Sequence, residues 1–244
     1  MQRRLRGDKS QFKPLYYHVE YHTDNGTEVE MHYRPSFLCS PILNMRMQRW
    51  FKEQFDICLK NNCQLGFPVL TPSVNVVYQL VHLYRHVFEG GVGLRQLMDY
   101  YFALRVWHND VMECKDLQSQ GMWSEGLGTP VLSKEEVMAV IRSFGMGKFT
   151  SAVMFVLHEV FDVPPHYYIC EPNEKEGKKL LAEIMQGGNF GQYDTRDAAL
   201  KNGGMMKHGL WKLKRVLSLV SSYPEEALWE PVFRVYHLFW RITH

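Results

Sequence analysis

The chain has 244 residues, of which 45% are hydrophobic and 14% aromatic, and its formal net charge is +2. That is ample apolar material for a packed core, and the length allows one large domain or two small ones. The near-neutral balance gives no global electrostatic case for nucleic acid or an anionic membrane surface as partner. No run of about 18 apolar residues marks a membrane span, and no apolar stretch of the kind a secretory signal needs follows the basic start Met1–Asp8.

The first predicted element is a hairpin. Residues 14–23 and 27–34 are rich in β-branched and aromatic side chains, and Asp24-Asn25-Gly26 lies between them. Asn-Gly supplies the positive φ values that a tight turn demands. A lone two-stranded hairpin is marginal in water, so it must pack on other elements or complete a larger sheet.

After Pro35 the spacing becomes helical. Ser40-Pro41 reads as an N-cap followed by a first-turn proline, opening a helix that runs to about Lys60. Thr71-Pro72 opens a second helix, which stops at Gly90-Gly91. A third is predicted over residues 93–106, followed by a loop over 117–130. Ser133 and Glu136 fit a capping box. Helices are then expected at about 134–144, 147–161, 172–186, 205–222 and 224–242, with a long Gly-rich loop over 187–204. The apolar residues of the last segment, Leu228 to Phe239, read as core packing. The expected fold is mostly α with an N-terminal β-hairpin, an α+β arrangement. Residues 1–40 form the hairpin unit and residues 41–244 a helical domain packed on it. The five cysteines (Cys39, Cys58, Cys63, Cys114 and Cys170) contain no Cys-x-x-Cys pair. They read as reduced thiols of a cytoplasmic protein.

Several groups are candidates for chemistry. Period-two alternation sends Glu28, Glu30, His32 and Arg34 to one face of the second hairpin strand. Four ionisable groups on one strand face suit a metal and phosphate site better than a core. They also suit a plain solvated face. His82 and His86 stand four apart and share a helix face, as metal ligands can. A zinc-protease pattern needs Glu directly after the first His, and Leu83 stands there. Arg95 and Asp99, after Gly91 and Gly93, are spaced for an ion pair on the third helix. Gly187 to Arg196 has the glycines for a close backbone approach to a ligand, but it is not a P-loop. Lys207, His208, Trp211, Lys212, Lys214 and Arg215 make a basic helix that suits phosphate contact or simple solvation.

Taken together these segments resemble a known family. Val29-Glu30-Met31-His32-Tyr33-Arg34 is similar to a strand of an uncharacterised bacterial nucleotidyltransferase-like family within the polymerase-beta superfamily. His82 to His86 followed by Leu94-Arg95-Gln96-Leu97-Met98-Asp99 resembles its helical segment. Gly187 to Gly191, Tyr223 to Glu226 and His237 to Arg241 resemble the later part of its longer members. The resemblance implies Mg²⁺-dependent nucleotidyl transfer from a nucleoside triphosphate to an unidentified hydroxyl acceptor. It makes Glu30 a metal ligand, gives Glu30 and His32 catalytic roles, and places Arg34, His86, Arg95 and Asp99 at the substrate. The Asp-x-Asp strand of that superfamily has no counterpart in these 244 residues. The chain therefore reads as the C-terminal portion of such a fold, inactive as it stands. The alternatives are a non-catalytic module that binds a nucleotide or protein, and a helical metal-dependent phosphohydrolase built on His82, His86 and Asp99. An open hairpin edge offers a second copy a place to pair. Nucleic acid is disfavoured as a partner but left open.

Overall fold

The computed structural model describes residues 12–23, 25–60, 66–119, 131–187 and 204–243. Three short strands, β1 (Phe12–Pro14), β2 (His18–His22) and β3 (Glu28–His32), form an antiparallel sheet in that order. Eight α-helices follow among the described residues: α1 (Pro41–Lys60), α2 (Pro72–Glu89), α3 (Leu94–Ser119), α4 (Lys134–Ser143), α5 (Gly147–Phe161), α6 (Glu174–Gly187), α7 (Gly204–Leu219) and α8 (Pro224–Thr243). A single 3₁₀ turn, Pro165–Tyr167, lies between α5 and α6. Among the described residues, no helix is long and apolar enough to cross a membrane.

The fold is mostly helical with the expected N-terminal hairpin. Its helix starts are set by local chemistry. The Thr71 hydroxyl accepts the Val74 N–H, and Pro72 fills a position whose N–H has no helical partner. Ser133 and Glu136 form the reciprocal capping box. Two expected element bounds change in the structure. Residues 14–23 are not one strand, because the chain turns at Leu15–Tyr17, where the Leu15 N–H donates to the His18 carbonyl. That turn drives Tyr16 edge-on against Phe37, Phe233 and Trp240, and this apolar contact outweighs continued strand pairing. The third helix also continues to Ser119, since no Gly or Pro interrupts the sequence before Gly121.

The core is centred on α2 and α5. Val76, Val77, Leu80 and Val81 of α2 are fully buried, as are Ala152, Val153, Met154 and Val156 of α5. Helix α6 lies unusually close to α5. A Cβ on Gly177 would come within 2.2 Å of Phe155 Cδ1. The last helix departs from the expected core packing. Its first turn is buried through Tyr223 and Ala227, but Leu228, Val232, Val235, Leu238, Phe239 and Ile242 are exposed. Leu228, Val232, Val235, Phe239 and Ile242 recur at helical spacing and form an apolar stripe, but that stripe turns outward, while Glu226, Phe233 and His237 turn toward the rest of the chain.

The hairpin is tied to the helices by one buried ion pair. Arg85 of α2 meets Glu226 of α8 at 3.1 Å, with side chains 8% and 1% exposed. Glu226 also accepts the backbone N–H groups of Cys39 (2.7 Å) and Ser40 (3.3 Å), so both carboxylate oxygens are used. Arg85 reaches Glu89 at 3.0 Å, and its guanidinium lies 4.0 Å over the Phe37 ring. The pair thus holds the segment between hairpin and α1 against α2 and α8. Burial pushes the neighbouring Cys39 thiol far above its ordinary range, so it stays protonated.

Removing Glu226 leaves buried Arg85 with Glu89 as its remaining carboxylate partner and the Cys39 and Ser40 N–H groups without their acceptor. Glu226→Ala is expected to cost about 3–5 kcal/mol, read as a fall in Tm of roughly 10 °C in thermal denaturation. Gly177→Ala is expected to cost about 1–3 kcal/mol by overpacking against Phe155, and chemical denaturation measures it.

Candidate functional site

The turn builds the site by setting the strand register. The Thr23 N–H donates to the Thr27 carbonyl (2.9 Å), and the Gly26 N–H to the Thr23 carbonyl (2.8 Å). Gly26 takes φ of +79°, which glycine adopts without strain. The register that results sets His22 opposite Glu28, Glu20 opposite Glu30, and His18 opposite His32. All six lie on one sheet face, because side chains alternate along each strand. The other face carries Val19, Tyr21, Val29 and Met31.

On the polar face, His18, Glu30 and His32 bring one donor atom each within 4.8 Å of one another. His32 Nε2 lies 3.3 Å from Glu30 Oε2, and His18 Nε2 lies 3.9 Å from Glu30 Oε1. Glu20 stands behind them, its Oε1 3.7 Å from His18 Nε2. The two imidazoles stack with centroids 5.1 Å apart. His18 is buried, and neither of its ring nitrogens has a hydrogen-bond partner.

A cavity of about 740 Å³ opens beside this cluster. Glu30, His32 and Tyr33 form its sheet side, Gln48, Phe51, Lys52 and Phe55 its α1 side, and Val74 and Tyr78 its α2 side. Burial and the Glu30 carboxylate raise the Tyr78 hydroxyl above its ordinary range. One turn further along α2, His82 and His86 face each other with Nε2 atoms 2.8 Å apart, so one donates and the other accepts. Burial lowers the pKa of both. His86 falls to about 4, with His82 adding to the effect. A second cavity of about 370 Å³ lies behind the hairpin, among Tyr17, Phe37, Arg85, Glu89 and Phe233. Burial, with Glu89 and Glu30 nearby, pushes the Tyr17 hydroxyl up to about 12.

The sequence-predicted residues divide between places. Glu30 and His32 meet at the larger cavity. Arg34 lies beyond the end of β3, because the N–H groups of Tyr33 and Arg34 both turn to the Tyr17 carbonyl. Its guanidinium sits 4.7 Å over the Tyr16 ring rather than beside His32. His86 pairs with His82. Arg95 and Asp99 are exposed on α3 and, among the described residues, make no ion pair with each other. His82, His86 and Asp99 do not converge as a metal-ligand group among the described residues, which removes the structural basis of a phosphohydrolase site there. The glycine-rich run after Gly187 and the side chains of Lys207, His208, Trp211 and Lys212 lie outside the described residues. His18 and Glu20 were missed from sequence. The signal that could have found them is the turn, since closure around residues 24–26 sets both opposite the acidic strand.

Residues 6–121 match the model of a family described as "Uncharacterised nucleotidyltransferase". The matched residues span the sheet and the first three helices, and include the Val29–Arg34 strand and the Leu94–Asp99 segment, so this part of the chain is similar to that family. No curated protein and no solved structure matches the chain.

The depressed histidine pair gives a pH signature. The unfolded chain binds a proton at His86 near the ordinary value of 6.5, and the folded chain only near 4. Stability is therefore full above about 6.5 and declines as pH falls towards 4. His86→Gln is expected to flatten that part of the Tm-against-pH curve, measured beside the unsubstituted chain.

Proposed function

We propose that the larger cavity is the nucleoside-triphosphate site of a nucleotidyltransferase-family protein. The observation that carries this reading is that the family-matched strand supplies Glu30 and His32 to the wall of a ligand-sized cavity. In this reading Lys52 attracts the phosphates, and Tyr78 and Phe55 offer ring faces to a base. In the same reading Glu30 and His32 take the proton of the acceptor hydroxyl as it attacks phosphorus and pyrophosphate leaves.

The family implies Mg²⁺. That ion takes oxygen ligands in near-octahedral geometry and keeps several waters. Two of the three clustered donors here are imidazole nitrogens, so the set does not fit Mg²⁺. One observation favours a second reading, nucleotide binding without transfer. The sequence has no Asp-x-Asp, and Glu30 is the one carboxylate in the cluster among the described residues.

Calorimetry with a panel of nucleoside triphosphates, with and without Mg²⁺, tests both readings, alongside an assay for released pyrophosphate. Binding is expected, and Lys52→Glu should weaken it about tenfold or more and reduce its salt dependence. Glu30→Gln should leave binding in place while removing any pyrophosphate release. Release without binding loss in Glu30→Gln would dismiss the catalytic role, and absence of binding to every nucleotide would dismiss both readings.

A further inference from the structure

We propose that His18, Glu30 and His32 form a binding site for a first-row transition-metal dication of the Zn²⁺ type, distinct in chemistry from the Mg²⁺ that the family implies. Three observations support it. The first is donor type. Imidazole nitrogens suit Zn²⁺ and its neighbours, and two imidazoles with one carboxylate is a set such ions accept.

The second is spacing. Ligands about 2.0–2.1 Å from a tetrahedral ion stand roughly 3.3 Å apart. The Glu30 carboxylate lies 3.3 Å from His32 and 3.9 Å from His18, using a different oxygen toward each. Small side-chain adjustments close that gap. The third is the state of His18. It is 3% exposed, and both ring nitrogens lack a hydrogen-bond partner. A buried imidazole with nothing to bond is costly, and a metal ion at Nε2 removes that cost.

The surroundings complete the argument. Glu20, opposite Glu30 in the ladder, lies beside His18 and adds negative charge behind the site. Glu30 and His32 both border the 740 Å³ cavity. Three protein ligands leave a fourth position open, which an oxygen of a phosphate or carboxylate ligand in the adjoining cavity could take. The inference stands on the cluster alone and does not require nucleotide binding.

The test uses the full chain, stripped of metal and titrated without nucleotide. Co²⁺ serves as the spectroscopic probe, and Zn²⁺ is measured in competition with a chromogenic chelator. One Zn²⁺ per chain is expected, with visible Co²⁺ bands of low-coordinate geometry, and Mg²⁺ at about 100-fold excess should not displace it. His32→Ala and Glu30→Gln should each weaken Zn²⁺ binding by more than the roughly 10–100-fold that losing an outer partner of a ligand costs. Glu20→Gln should fall within that smaller range. Both ligand substitutions change side chains that reach solvent, and circular dichroism checks that the helices remain. No stoichiometric uptake, uptake unchanged in both ligand variants, equal displacement by Mg²⁺, or uptake lost in a His86 variant but kept in His32→Ala would each overturn the proposal. Metal uptake without nucleotide binding would keep this site and remove the nucleotide reading, and the opposite result would do the reverse.

Discussion

The contact between Arg85 and Glu226 is the constraint on which the placement of the site depends. Both ions are taken almost wholly out of water, which is costly unless every remaining donor and acceptor is used. Glu226 meets that condition by accepting two backbone N–H groups from Cys39 and Ser40. Arg85 meets most of it through Glu89 and the face of Phe37. The consequence is geometric. The chain between β3 and α1 has one seat, and the sheet that precedes it is held with its polar face toward the larger cavity. Tyr16 adds a second anchor from the turn before β2, through its edge contacts with α8.

This arrangement bears on the family match. The matched residues end at 121, yet the partner that closes the Arg85 network is residue 226, and the rings around Tyr16 come from α8. The nucleotidyltransferase-like segment is thus positioned by a helix outside the match. Glu176 does a similar job between other elements. It is buried, accepts the Ser222 hydroxyl at 2.7 Å, and meets Lys148 and Lys179. Two buried carboxylates therefore tie the start of α8 to the front and the back of the helical body.

Much of the fold was legible in the sequence, because its signals are local. Thr71-Pro72, Ser133 to Glu136 and Gly90 announce helix ends through backbone groups a few residues away. The hairpin was legible for the same reason. The turn at Leu15–Tyr17 was not, since it answers to Tyr16 meeting residues more than 200 positions distant. The outward turn of the apolar stripe of α8 was not either, because helical spacing marks the stripe while the distant partners of Glu226 and Phe233 decide which face turns inward. The site was half legible. Glu30 and His32 stand on a strand whose alternation is plain, but His18 enters only when the ladder is drawn. Arg34 follows the same alternation in sequence and leaves it in the structure, because β3 ends two residues earlier. The Arg85–Glu226 pair had no sequence sign at all, as 141 positions separate its members.

The loop between β2 and β3 looks the most dispensable part of the hairpin. Its Asn25, Gly26 and Thr27 are exposed, and a Cβ on Gly26 would touch nothing. Yet its length acts as a gauge. Lengthening it by one residue would re-pair β3 out of phase and turn Glu30 and His32 to the opposite side of the sheet. Chains that share this sheet should then keep a residue suited to positive φ where Gly26 stands and vary hardly at all in how many residues the loop contains.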